Sequence, residues 1–216
     1  MAERPVFLPV SKGAQLVQEV RVSFVWHPGL AASQKRKNVN ELHHAAMARG
    51  LGPLLEISSK SELEVGRRLS AFHLKLEFEG GATTVECAFQ GSKVFQHGGP
   101  FPDLFLKSSK EAKTDPRIRG AGQLIGFLFE GRRFPISPMT LFYDWLYFRA
   151  LYPHRDWLAE RNEWNGFTDI EFNPERSINC QARSFAAFVS LMNRCGLDEA
   201  MVSFESFEAR MKSAGI

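Results

Sequence analysis

The segment FHLKLEF, residues 72–78, alternates without a break. Phe72, Leu74, Leu76 and Phe78 face one way, and His73, Lys75 and Glu77 the other. That period predicts a half-buried strand. Gly80-Gly81 breaks it, and TTVECAFQGSKVFQH (83–97) follows with helical spacing. Val85, Ala88, Phe89, Ser92 and Phe95 share one face of the predicted helix, and Glu86, Gln90, Lys93 and His97 the other. A strand that gives way so quickly to a helix commits the chain to a mixed architecture.

The flanks extend the mixture. EVRVSFVW (19–26) alternates as a strand, and His27-Pro28-Gly29 turns the chain. Ser33 is placed to cap a helix that runs to Arg49 and stops at Gly50. PLLEIS (53–58) reads as a strand. The region 111–130 is broken by Pro116 and glycines, and GQLIGFLFEG is compatible with either state. Ser137 and Pro138 form a cap and first turn for a helix through FYDWLYFRAL. A short helix at 156–161, a strand at FTDIEF (167–172), a buried helix at 182–195 ended by Gly196, and an amphipathic helix at 198–211 complete the reading. No regular strand–helix–strand rhythm appears, so the predicted class is α+β.

One domain over residues 1–216 is the expectation for this length, since a chain that is 44% hydrophobic fills a single core. A strand–helix extension at 1–53 and a C-terminal helix at 197–216 flank a central part at about 54–192. The net charge of +3 permits a phosphate-bearing partner without marking a dedicated nucleic-acid binder. Cys87, Cys180 and Cys195 are odd in number and far apart, which points to a reducing cytoplasm rather than a disulfide framework or a zinc site. No run is apolar enough to span a bilayer and no secretory leader is seen, so a cytoplasmic protein is expected. The histidines form no metal motif.

The polar stripe has two readings. Thr83 as N-cap puts Glu86 at the third helical position, a capping box. Alternatively, Glu86 and Lys93 stand roughly 10 Å apart along one helical face, at 1.5 Å per residue, and converge on one sugar. A carboxylate near a helix N-terminus stays ionised and can act as a base. A lysine withdrawn from water loses its proton more readily and can attack a sugar carbon as a Schiff-base former.

RLSAF (68–72), TTVECAFQGSKVF and EAK (111–113) together resemble the NADAR superfamily, whose members carry an L-S-N-F element and a Glu–Gln–Lys helix. Trp145 in FYDWLYFRAL fits the family's later tryptophan, and the match covers about residues 54–192. HPGLAASQKRKN, PLLEISSKS and TDIEFNPERSINCQARS look further like the NADAR proteins encoded beside DarT-type toxins. Ala71 stands where many relatives have Asn, and Cys87 where His is frequent.

The resemblance implies a NADAR fold and an antitoxin that hydrolyses ADP-ribosylated guanine in single-stranded DNA, with a DarT-type toxin as its functional partner and with neither cofactor nor metal. It implies Lys93 as nucleophile and Glu86 as acid/base. Gln90 then contacts a ribose hydroxyl or orients Lys93, or is surface. Trp145 stacks on a base or belongs to the core. Asp144 touches a ribose hydroxyl or solvent. Asn173, Ser177, Asn179 and Arg183 are candidates for the diphosphate, or an Asn/Ser turn with caps. Ser58 and Ser59 are candidates for phosphate contact, and Ser70 and Phe72 come from the LSAF match. Lys35–Lys37, Arg67-Arg68 and Arg132-Arg133 are expected to guide a DNA strand or to be solvated faces. Competing expectations are an N-glycosidase of riboflavin-pathway intermediates, a non-catalytic antitoxin that sequesters its toxin, and an ADP-ribose reader.

Overall fold

A computed structural model describes residues 1–161, 163–175 and 177–215, and the chain is α+β. In chain order the elements are β1 (Ala2–Pro9), β2 (Val17–Phe24), α1 (Ala32–Met47), β3 (Leu54–Glu56) and α2 (Glu64–Arg68). Next come β4 (Lys75–Phe78), β5 (Gly81–Thr84), α3 (Val85–Gly91), β6 (Lys93–Phe95), α4 (Ser109–Thr114) and α5 (Pro116–Gly120). The remainder is β7 (Leu124–Phe129), β8 (Arg132–Phe134), α6 (Leu141–Leu151), α7 (Arg155–Ala159), β9 (Gly166–Thr168), α8 (Gln181–Asn193), α9 (Leu197–Ala200) and α10 (Phe204–Ser213).

The strands form three small sheets: β2-β1-β9-β3, the hairpin β4-β5, and β6-β7-β8. In the first, β3 runs parallel to β9 and the other pairs are antiparallel. Helix α1 covers part of this sheet with Val39, Leu42 and Ala46, spaced three and four apart, against Val6, Val22 and Phe24. Helix α6 is buried on every side, with only Arg149 of its eleven residues outside the buried set. A helix apolar all round belongs inside. Its Phe142 stacks on Phe127 of β7 at 4.5 Å, and its Phe148 packs on Phe188 of α8 at 5.2 Å.

Several expectations are corrected. Residues 2–9 form a strand that alternation did not predict: Pro5 and Pro9 interrupt the pattern, and Val6 and Phe7 are buried in succession. Ser33 lies inside α1, whose N-cap is Ala31 without a side-chain bond. Helix α6 starts at Leu141 after Thr140, so Pro138 precedes it, next to a cis Ser137-Pro138 bond. The ambiguous GQLIGFLFEG contains strand β7. The predicted last helix is two helices, parted at Met201–Ser203. The strand at FTDIEF ends at Thr168, because the next residues turn away to meet the site.

The 83–97 segment differs most. Thr84, not Thr83, is the N-cap and accepts from the Cys87 amide at 3.2 Å. The helix lasts only two turns, and Lys93 begins strand β6. His97 lies in an exposed turn and leaves the stripe.

Candidate active site

Helix α3 and the strand after it open onto a cavity of about 870 Å³. Its walls come from Ser58–Lys60 after β3, Ser70–Phe72 before β4, Lys113 of α4, Tyr143 of α6, the loop after β9, and Gln181 at the start of α8. This volume suits a nucleotide-sized ligand.

On one wall stands a chain of hydrogen bonds. Lys93 Nζ donates to Gln90 Oε1 at 2.7 Å, and Gln90 Nε2 donates to Glu86 Oε1 at 2.9 Å. Glu86 and Gln90 are 6% and 7% exposed. The capping-box account of Glu86 therefore gives way: it sits one residue too early for a reciprocal cap, and its carboxylate faces Gln90. Its own amide donates to the Ala71 carbonyl at 3.0 Å, which ties the helix start to the LSAF turn.

Lys93 also lies over the Phe89 ring at 4.7 Å. Burial lowers its pKa to about 8; nearby Glu86 opposes the shift and the Lys113 ammonium adds to it. Roughly a tenth of such an amine is neutral at pH 7, against a negligible share for a solvated lysine.

A second buried network shapes the opposite wall. Glu56 accepts from Ser58 Oγ and Thr168 Oγ1, each at 2.6 Å, and from the Ile170 amide at 2.9 Å. Asp169 accepts from Gln181 Nε2 at 3.0 Å, and Gln181 Oε1 accepts from the Ala71 amide at 2.7 Å. Burial pushes both carboxyls upward, and Glu56 pushes Asp169 further. The network fixes the Ser58 loop, the Ala71 turn and the loop after β9 relative to one another.

Among the residues singled out from sequence, Glu86, Gln90, Lys93, Ser58, Ser59, Ser70, Phe72, Ser177 and Asn179 line the cavity. Ser70 Oγ is bonded to His73 Nδ1 at 2.9 Å, and Ser177 Oγ donates to the Asn179 carbonyl at 3.1 Å. Asn179 Oδ1 is buried with no hydrogen-bond partner among the described residues. Four others do not line it. Trp145 packs on Phe204 and Phe207 at 5.7 and 5.2 Å. Asp144 is buried between α6 and α8, where Ser184 Oγ donates to it and Arg183 stands 3.7 Å away. Asn173 Oδ1 accepts from the Glu175 amide in a local turn.

Sequence reasoning missed Glu56, Asp169, Gln181 and Lys113. The signal for the first two was present: each is a carboxylate set within an apolar strand-like run, PLLEIS and FTDIEF, where a charge is costly unless it is held.

The family model for DarT1-associated NADAR antitoxins matches residues 2–215. The chain belongs to the DarT1-associated NADAR antitoxins. No curated protein matches it. The NADAR match extends beyond the 54–192 region to β1, β2 and α10. That agrees with the topology, since β1 bridges β2 and β9 in one sheet. Among the described residues of this NADAR antitoxin no helix is long and apolar enough to cross a membrane, and no cluster of metal-binding side chains occurs.

Proposed function

We propose that this NADAR antitoxin hydrolyses the N-glycosidic bond between ADP-ribose and a guanine of DNA, freeing the base modified by a DarT1-type toxin. The observation that carries the reading is the Lys93–Gln90–Glu86 chain, which presents an amine of lowered pKa and a buried carboxylate to one nucleotide-sized cavity.

The reaction runs as follows. Glu86 relays a proton to the ribose ring oxygen as the bond from that oxygen to the anomeric carbon breaks and the glycosidic nitrogen supplies its lone pair. The neutral Lys93 amine then adds to the anomeric carbon. Guanine departs with a proton, leaving a Schiff base between Lys93 and the opened sugar. Water adds to the imine carbon, the lysine leaves, and the released ADP-ribose closes its ring. The net change is addition of one water across the glycosidic bond. Gln90 holds Lys93 and Glu86 in register. Asn179 Oδ1 offers an acceptor to a sugar hydroxyl or base amino group, since a buried acceptor without a partner invites a donor.

The test uses an oligonucleotide carrying ADP-ribosyl-guanine, with release of free ADP-ribose as readout. The wild-type protein releases it and Lys93→Ala does not. Full release by Lys93→Ala removes the lysine from the chemistry. No release by the wild type, together with a stable complex with the toxin, would make this a sequestering antitoxin instead.

A further inference from the structure

A second cleft of about 1130 Å³ lies on the other side of the 69–74 turn. The turn is shared: Ser70, Ala71 and Phe72 line the catalytic cavity, while Leu69, His73 and Leu74 line the second cleft. The Ser70–His73 hydrogen bond at 2.9 Å crosses the wall between them. Nothing in the mechanism above uses this cleft.

Its composition is specific. Arg68, Lys75, Arg132 and Arg149 line it, against Glu77 as the one lining carboxylate. These cations come from α2, β4, β8 and α6, so folding gathers charges that the sequence scatters. Lys75 is exposed and makes no ion pair among the described residues. Arg68 and Arg132 pair with Glu64 and Glu205, but their side chains remain 77% and 44% exposed. Pairs that open to solvent exchange readily for phosphate. The floor is aromatic, with Trp145 and Phe204, and Trp157 is 42% exposed at the rim. Arg161 lies over the Trp157 ring at 4.2 Å, and Arg155 over the Tyr152 ring at 4.4 Å.

A cationic groove that follows a backbone, combined with a part-exposed aromatic ring and arginines stacked on rings at its rim, is the arrangement that takes single-stranded nucleic acid without reading its sequence. We propose that this cleft binds the single strand flanking the modified base, with phosphates on Arg68, Lys75 and Arg132 and a base stacked on Trp157. That the bound strand is the one carrying the adduct rests on the proposed function; that the cleft takes a single strand does not.

The experiment titrates a fluorescent, unmodified oligothymidine against the full chain and follows anisotropy at several salt concentrations. The wild type binds with an affinity that falls as salt rises. Arg68→Glu combined with Lys75→Glu weakens binding at least tenfold and flattens the logarithmic salt slope by about 1.4, the share of two phosphate contacts on a single strand. Trp157→Ala weakens it about fivefold or more with little change of slope. Lys93→Ala binds as the wild type does, which separates strand binding from hydrolysis. On substrate, the charge-reversed variant shows a lower ratio of turnover on the modified oligonucleotide to turnover on the modified nucleoside. Equal affinity of the charge-reversed and wild-type proteins for the oligonucleotide would overturn the proposal. So would a result in which these substitutions abolish association with purified toxin but leave the oligonucleotide bound.

Discussion

The ammonium of Lys93 donates to Gln90 Oε1 at 2.7 Å, and that bond spans the junction from helix α3 to strand β6. A neutral acceptor at this point steadies the amine without raising its pKa as a carboxylate would. Replacing Gln90 with Glu should therefore raise the Lys93 pKa above its value of about 8. At pH 7 turnover should drop about tenfold or more and recover partly in alkaline buffer. The pH dependence of single-turnover release checks this.

The wild-type rate should climb as pH rises towards 8 and then level, because the neutral amine is the reactive form. Lys113 contributes to the lowered pKa through charge repulsion, so Lys113→Gln should move the rising limb to higher pH. An unmoved limb would show that Lys113 has no part in it, leaving burial and Glu86 to set the value.

The Schiff base should be trapped by borohydride. Treating the protein with modified oligonucleotide and borohydride should add the reduced ADP-ribosyl mass to the peptide containing Lys93. Glu86→Gln should slow turnover on the order of 10²–10⁴-fold, the range for removing a proton-transfer group.

His43 should carry part of the acid sensitivity of the fold. Its Nε2 is bonded to Thr168 Oγ1 at 2.8 Å, and burial lowers its pKa to about 4 from 6.5. The unfolded chain then binds more protons than the folded one between those values. Stability from this group is complete above about pH 6.5 and is lost as pH falls to about 4. The loss should be roughly 2–3 kcal/mol, and His43→Gln should remove that part. Urea melts at pH 4 and 7 of both proteins read the difference; parallel pH profiles would contradict it.

Gly66→Ala should weaken the fold by about 3 kcal/mol, as overpacking against fixed backbone does. A Cβ there would sit 2.1 Å from the Glu56 carbonyl oxygen and 2.4 Å from Ser61 Oγ. Thermal melts measure the cost.

Strong periodicity made much of the fold legible. The strand at 72–78 was foreseen, although only Lys75–Phe78 is paired, because Phe72 sits in the turn that forms a cavity wall. The helices with deep apolar faces, α6 and α8, were foreseen too, and only their ends moved. What period cannot express stayed hidden. Strand β1 has consecutive buried residues rather than alternation. The grouping of Glu86, Gln90 and Lys93 was legible, but as one helical face, whereas a helix end and a strand start produce it. The Glu56–Asp169 network joins residues more than a hundred positions apart. Trp145 and Asp144 were grouped with the cavity from the sequence, yet they lie elsewhere because α6 presents Tyr143 to it instead, and Arg183, on α8, turns to buried Asp144.

Ser92 sits at the point where α3 ends. It is fully buried, its hydroxyl donates to the Ala88 carbonyl at 2.7 Å, and its carbonyl accepts from the Leu128 amide at 2.8 Å. Beyond it, side chains swap sides at each step. A residue inserted or deleted there would not nudge the amine by a fraction of an ångström but turn it over to the opposite face. Length at this hinge should thus be far less negotiable than residue identity, and drift in the lineage should favour substitution over indels between Gly91 and Lys93.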